Sequence, residues 1–130
     1  MHGPKALLQA LTEVWHPGSP AIRLLARLDA DVVSADHPGK FRIARLHRVH
    51  EHLLEHCFTA LAEQGLLREG TDPAFAGRAM LALILNHAAR ERTVRAMQNV
   101  DHADSPTEDL HRLAGLFLAP GAAALSRPAA

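Results

Sequence analysis

Histidine is the residue type with the most capacity for chemistry in this 130-residue chain, which contains ten of them. The segment His52-Leu53-Leu54-Glu55-His56 matches the H-x-x-E-H pattern, in which two histidines one helical turn apart bind zinc and the glutamate acts as a base. At 100° per residue, however, these side chains lie away from the apolar side of their helix, and no later carboxylate stands out as a third ligand. We therefore predict no metal site and no enzyme; a small metal-dependent hydrolase at His52, Glu55 and His56 ranks last among the alternatives.

Two other histidines, His50 and His87, fall among apolar residues of their helices. A buried imidazole needs a hydrogen-bond partner, so each either pairs with a neighbour in a filled core or faces a cavity. In the second case we expect a pocket for a small, mainly apolar effector, in which both histidines orient the ligand and Met80 adapts to its shape. The predicted lining consists of His50, Cys57, Phe58, Met80, Ile84 and His87, with Trp15 and Leu25 as further walls.

Cys57 is the only cysteine, which excludes an internal disulfide and every zinc site built from several cysteines. Arg42, Arg45 and Arg48 form a basic row, but rows at this spacing are typical of a solvated helix face. No Gly-rich phosphate loop and no Ser/His/Asp arrangement is found in the sequence, and we predict no cofactor.

The composition is that of one globular domain, with 48% hydrophobic and 22% charged residues. No apolar run is long enough to span a membrane, and the N-terminus lacks the pattern of a secretion signal, so we expect a cytoplasmic protein. Fourteen basic residues balance fourteen acidic ones, whereas a module that binds nucleic acid by itself usually has a basic excess. The polar loop of Asp101, His102 and Asp104 is interpreted as a connector.

Prolines and glycines fall between segments of helical periodicity, and no segment alternates with the period of a strand. The sequence thus predicts an all-α bundle of about five helices, which cover residues 4–15, 20–37, 40–64, 72–98 and 106–119. Ser19-Pro20 and Ser105-Pro106-Thr107-Glu108 are helix starts, and Gly65 is a left-handed stop. We expect one domain over residues 1–119 and a flexible tail over residues 120–130.

Each of the first three helices has apolar residues that we expect to point inward. They are Leu7, Leu8, Leu11, Val14 and Trp15 in the first helix; Leu24, Leu25, Leu28 and Val32 in the second; and Ile43, Leu46, Val49, Leu53, Leu54, Cys57 and Leu61 in the third.

The fourth predicted helix is apolar on two sides, and the fifth has surplus apolar residues on its flank. A helix on the outside of a small monomer should have a polar face, so the pattern favours an antiparallel pair that meets its copy as a four-helix bundle. The alternative is that other helices of the same chain cover the surplus. The predicted dimer interface consists of Leu81, Ala82, Leu85, Ala89, Leu113, Leu116 and Phe117.

The order of these segments resembles the C-terminal domain of TetR-family transcriptional regulators. His2-Gly3-Pro4-Lys5-Ala6-Leu7-Leu8 is similar to the stretch that follows the recognition helix in that family. Ala62-Glu63-Gln64-Gly65-Leu66-Leu67-Arg68 and Thr71-Asp72-Pro73-Ala74-Phe75-Ala76 are similar to the end of its long helix and the entry into a dimerisation helix. Leu113-Ala114-Gly115-Leu116-Phe117-Leu118-Ala119-Pro120 fits its last helix.

The resemblance implies a homodimer that uses its last two helices as the interface and binds a small effector inside the remaining ones. It also implies that DNA is contacted only through a helix-turn-helix that would precede His2 and that this sequence lacks, either because the chain is a fragment or because it is a headless relative. We therefore expect a ligand-sensing and dimerisation domain of a TetR-like regulator. The alternative from another class is a structural dimerisation or protein-interaction bundle with a filled core.

Overall fold

The computed structural model describes residues 3–32, 36–98 and 106–125. Within these ranges the chain forms six α-helices and, apart from one isolated bridge, no β-structure. The helices are α1 (Pro4–Glu13), α2 (Pro20–Asp31), α3 (Lys40–Glu63), α4 (Pro73–Gln98), α5 (Pro106–Gly115) and α6 (Pro120–Leu125). The predicted all-α class is confirmed. None of the helices in the described ranges is long and apolar enough to cross a membrane.

Local signals in the sequence set the start of α2 and the end of α3. Ser19 caps α2, because its hydroxyl accepts a hydrogen bond from the amide of Ile22, and Pro20 occupies the first turn. The same hydroxyl donates to the carbonyl of Val14 at 2.7 Å and so ties α2 to the end of α1. Gly65 follows α3 with a φ of 72°, the left-handed conformation expected of a glycine stop. The capping role predicted for Ser105 falls outside the described residues.

The C-terminal end differs from the prediction, because α5 ends at Gly115 and not near residue 119. The amide of Arg68 donates to the carbonyl of Phe117 at 2.9 Å, and the amide of Ala119 donates to the carbonyl of Leu66 at 2.8 Å. These two bonds hold residues 117–119 extended against the α3–α4 connection, which is incompatible with a continuing helix.

A sixth helix lies where the sequence predicted a flexible tail. Pro120 begins α6, and Ala122 on it is buried against α1 and α5. The expectation of a tail starting at residue 120 is therefore corrected for residues 120–125. Alanine-rich sequence has high helix propensity, and the Leu66–Ala119 bond positions its first turn against the core. Residues 126–130 of the predicted tail lie outside the described residues.

Helices α3 and α4 pack at very close range at Gly77. A Cβ atom added to Gly77 would lie 2.8 Å from the amide nitrogen of Glu55 and 3.1 Å from the carbonyl oxygen of Glu51. Only glycine allows the two backbones to come this close, so the side of α3 that carries Glu51 and Glu55 is fixed against α4.

One large cluster forms the core, and a small second cluster lies between α2 and α3. The large cluster contains residues from all six helices, with Ile22 as the contribution of α2. The second cluster contains Leu25, Val32 and Ile43. Leu85 on α4 packs against both clusters. The fully buried residues of the core include Leu11, Ile22, Leu54, Phe58, Leu61, Met80, Leu81, Ile84, Leu110 and Leu118.

Several residues that the sequence analysis placed inside are exposed. Leu46, Val49 and Leu53 lie on the surface of α3, and the core face of that helix is formed by Ile43, Leu54, Phe58 and Leu61. The face is rotated because α4 approaches at Gly77 and α2 approaches through the contact between His47 and Asp29. Two further expected core residues, Val14 and Leu24, are also exposed.

Candidate ligand site around Trp15 and His50

Trp15 follows the last turn of α1 and is placed by the connection to α2. The backbone amide of Trp15 donates to the carbonyl of Ala10. The carbonyl of the preceding residue, Val14, accepts the hydrogen bond from the Ser19 hydroxyl. The Trp15 side chain is buried in the large core cluster. The short α1–α2 connection thus positions Trp15, the only tryptophan of the chain, against α3.

The indole of Trp15 meets the imidazole of His50 edge to face. Nε1 of Trp15 donates to Nδ1 of His50 at 3.0 Å, and the ring centroids are 6.4 Å apart with an interplanar angle of 80°. An indole N–H can only donate, so Nδ1 of His50 must be the acceptor and carries no proton. The neutral imidazole therefore carries its proton on Nε2, where it makes no hydrogen bond to any described residue.

Burial lowers the pKa of His50, and the neighbouring His47 lowers it further by charge repulsion. His47 itself contacts the carboxylate of Asp29 on α2 at 2.9 Å, so a protonated His47 forms an ion pair there. Both effects favour the neutral form of His50, which is the form that can accept the Trp15 hydrogen bond.

Three of the other predicted lining residues lie deep in the core. Phe58, Met80 and Ile84 have no exposed surface and belong to the same cluster as Trp15. The Phe58 ring also stacks edge to face on Phe117 with centroids 5.5 Å apart. These residues pack among themselves as a filled core.

Cys57 lies two turns after His50 on the same side of α3 and packs partly buried against the core. Burial raises the pKa of its thiol, so the sulfur stays protonated and is a poor nucleophile. His87 is half-buried on α4. Leu25 is not a wall of this site, because it belongs to the smaller cluster between α2 and α3.

The predicted dimer-interface residues differ in how far they are buried within their own chain. Leu81 is buried in the core of its own chain, so it cannot contact a second copy, and this assignment is corrected. Leu85, Leu113 and Phe117 are half-buried and pack against the core of the same chain. Ala82 and Leu116 are exposed, whereas Ala89 is half-buried.

The H-x-x-E-H segment lies on α3 with His52 and His56 exposed and Glu55 half-buried near α4. Within the part of the chain that the structure describes, no group of three or more His, Cys, Asp or Glu side chains is arranged to hold a metal ion. The predicted connector residues Asp101, His102 and Asp104 lie outside the described residues.

Three histidines have structural roles or surroundings that the sequence analysis did not predict. His16 and His37 each accept a hydrogen bond on Nδ1 from the amide of the glycine two residues later, at 2.9 Å, and each stands in a His-Pro-Gly tripeptide. The repeated His-Pro-Gly tripeptide is therefore a sequence signal from which these two turns could have been predicted. His111 on α5 is buried, and its Nδ1 has no hydrogen-bond partner among the described residues. No local pattern marks that residue.

Comparisons with known proteins identify no family. No family model, no curated protein and no solved structure matches this chain. A function can therefore be proposed only from the geometry of the chain itself and from the resemblance described above.

Proposed function

We propose that this chain is a ligand-sensing and homodimerising helical module of the type that forms the C-terminal domain of TetR-like regulators. The observation that carries the sensing part is the Trp15–His50 pair, in which the proton on Nε2 of a half-buried histidine has no hydrogen-bond partner among the described residues. A polar donor at the edge of an apolar core is the typical handle of a pocket for a mainly apolar molecule.

The chemistry of the pair selects one class of effector. Nε2 of neutral His50 is a donor, and the largely apolar indole of Trp15 packs edge to face against the same imidazole. The best match is an apolar molecule that carries one acceptor oxygen, such as a ketone.

The filled core explains how such a ligand acts on the fold. Phe58, Met80 and Ile84 have no exposed surface, so a ligand that enters the core beside His50 gains room only when Trp15, which follows α1, moves away from α3. Binding then selects an opened arrangement over the closed one, which is the differential affinity that allostery requires. In the resemblance to TetR regulators, α1 is the segment that joins the sensing domain to the DNA-binding head.

A matched pair of probes tests this proposal. We expect 2-acetylnaphthalene, which has an acceptor oxygen, to bind more tightly than 2-ethylnaphthalene of similar shape by about 3- to 10-fold, the value of one uncharged hydrogen bond. Trp15 is the only tryptophan, so quenching of its emission by the probe reports binding at this position. A shift in the thermal unfolding midpoint gives an independent measure.

Variants of His50 test whether the preference for 2-acetylnaphthalene over 2-ethylnaphthalene depends on this side chain. His50→Phe should abolish the difference between the two probes, and His50→Gln should retain it, because the glutamine amide can accept from Trp15 and donate to the ligand. His52→Phe changes an exposed histidine on the same helix and should leave the difference intact. Equal binding of both probes by the unmodified chain would remove the role of His50.

A filled-core dimerisation or protein-interaction bundle is the second candidate, and the complete burial of Phe58, Met80 and Ile84 favours it. A filled core gains no stability from apolar probes, whereas a core that opens does. If neither naphthalene quenches Trp15 or raises the unfolding midpoint, the sensing function is wrong and the interaction bundle takes its place.

A further inference from the structure

The two His-Pro-Gly tripeptides, at residues 16–18 and 37–39, form the same turn at two places in the fold. In each turn, Nδ1 of the histidine accepts a hydrogen bond of 2.9 Å from the amide of the glycine two residues later. The histidine carbonyl also accepts from the amide three residues later, that of Ser19 at 2.8 Å or that of Lys40 at 2.9 Å. A Cβ atom added to either glycine would lie 3.2 Å from the same Nδ1. We call these two segments the histidine turns.

In both histidine turns the imidazole does what an asparagine or aspartate side chain does in an Asx turn. Nδ1 of histidine is bonded to Cγ, as is the side-chain oxygen of asparagine and aspartate, which commonly accepts from the amide two residues later. An asparagine oxygen accepts this bond at any pH, whereas Nδ1 of an imidazole accepts only while it is unprotonated. Histidine in this position therefore makes the turn dependent on pH.

The histidine turns lie in the two connections of α2. The first joins α1 to α2 and leads into Ser19, whose hydroxyl caps α2. The second lies between α2 and α3 and leads directly into α3. Gly39, the N-cap residue of α3, provides no side-chain cap, so the imidazole of His37 is the side chain that accepts from a backbone amide at this helix start. Both connections of α2 therefore depend on an imidazole acceptor.

The charged groups around the turns are engaged elsewhere or make no contact with either imidazole. Glu13 at the end of α1 accepts from Gln9, and the Lys40 ammonium donates to the carbonyl of Val32. Within the described ranges, no hydrogen bond or ion pair joins His16 or His37 to any titratable or charged residue of the helices that the turns connect, namely Glu13, Arg23, Arg27, Asp29, Asp31, Asp36, Lys40, Arg42, His47 and His50. Among these residues, no carboxylate is placed to pair with a protonated imidazole at either turn.

We propose that the histidine turns form a pH-sensitive switch that loosens both connections of α2 when His16 and His37 are protonated. Protonation turns Nδ1 from an acceptor into a donor that faces the glycine amide, so the hydrogen bond is lost. The added positive charge also lies at the start of α2 or α3, where the helix dipole is already positive. The contact between His47 and Asp29 becomes an ion pair on protonation, so α2 itself stays attached to α3. This switch acts without a ligand and goes beyond the proposed function.

Solvent exchange of the Gly18 and Gly39 amides, measured by NMR on the full chain, tests the switch. Relative to an unstructured peptide at the same pH, the protection of both amides should fall about 3- to 10-fold between pH 8 and the pH at which ring signals show both histidines protonated, the value of one uncharged hydrogen bond. The fall should be larger at Gly39, because Ser19 continues to cap α2. Constant protection at both glycines while the rings titrate overturns the proposal.

Asparagine variants separate the titration of the imidazole from the shape of the turn. His16→Asn and His37→Asn keep an acceptor for the glycine amide, so each should retain the protection seen at pH 8 and lose its pH dependence at the substituted turn alone. His16→Phe and His37→Phe lack the acceptor and should give low protection already at pH 8, whereas His52→Asn, at an exposed position outside both turns, should change neither glycine. Full protection in the phenylalanine variants, or an unaltered pH dependence in the asparagine variants, contradicts the switch.

Discussion

The side chains of Trp15 and His50, 35 residues apart in the sequence, share a hydrogen bond of 3.0 Å between Nε1 of the indole and Nδ1 of the imidazole. This bond joins the end of α1 to the middle of α3, and it exists only while Nδ1 of His50 is unprotonated. The edge of the core is thus coupled to the protonation of one histidine.

Acidification should destabilise the chain through His50. Burial and His47 lower its pKa below the ordinary value of 6.5, so the unfolded chain takes up this proton first as the pH falls. The contribution to stability is fully present above pH 6.5 and is lost as the pH falls below it towards the pKa of the folded chain. Urea unfolding at pH 8 and pH 5.5, followed by Trp15 emission, measures the loss.

Comparison of variants separates the contribution of His50 to the pH dependence of stability from that of the other nine histidines. His50→Gln removes the titrating group, keeps an acceptor for Trp15 and should lose less stability between the two pH values than the unmodified chain. His52→Gln, at an exposed position, should lose as much as the unmodified chain. An equal pH effect in His50→Gln and the unmodified chain contradicts the assignment.

The neighbouring residues Leu53 and Leu54 should differ sharply on truncation. Leu54 has no exposed surface, so Leu54→Ala leaves a cavity and should cost about 2–5 kcal/mol of unfolding free energy. Leu53 is half exposed, and Leu53→Ala should cost less than about 1 kcal/mol in the monomer. Chemical unfolding at a protein concentration below the dimerisation range measures both. Similar costs would mean that the core face of α3 is assigned incorrectly.

Gly77→Ala should destabilise the chain by about 1–3 kcal/mol, although alanine favours helix over glycine by about 1 kcal/mol. The added methyl group meets backbone atoms of Glu51 and Glu55, which cannot move without separating α3 from α4. Gly115→Ala is the control, since no atom lies within 4 Å of a Cβ there. Thermal unfolding compares the two. A stabilised Gly77→Ala variant would show that the helices are not in close contact.

Ser19→Ala should cost about 1 kcal/mol, because it removes the cap of α2 and leaves one carbonyl, that of Val14, without its donor. Ser19→Thr retains both hydrogen bonds, whereas Ser19→Asp retains the cap alone. The order of unfolding midpoints should therefore be serine and threonine above aspartate, and aspartate above alanine. A shift in Trp15 emission should accompany the loss of the Val14 bond, since Trp15 is the next residue.

Helix starts and stops were predictable because their signals act over a few residues. Ser19 and Pro20 begin α2, and Gly65 ends α3, through interactions with atoms in the same turn. The end of α5 was not predictable in this way. It depends on bonds from Leu66 and Arg68, about fifty positions earlier in the chain.

Among the candidate site residues, the sequence identified His50 and Trp15 but not their contact. A wheel shows that His50 lies beside apolar residues, and nothing in it indicates that Trp15 will supply the hydrogen bond. The same limit applies to Leu25, which the sequence grouped with Trp15 and the structure assigns to another cluster. Each side chain has a predictable direction on its helix, whereas its partner depends on the packing of other helices.

The sequence by itself determined that the chain is all-α and where most of its helices begin. Only the tertiary structure decided which side of α3 is the inside, because Leu46, Val49 and Leu53 are as apolar as Ile43, Leu54 and Phe58. The close approach of α4 at Gly77 and the His47–Asp29 contact with α2 rotate α3 to bury the second set and expose the first. Hydrophobicity gives each residue a preference for burial, but the space available inside a packed bundle determines which residues are buried.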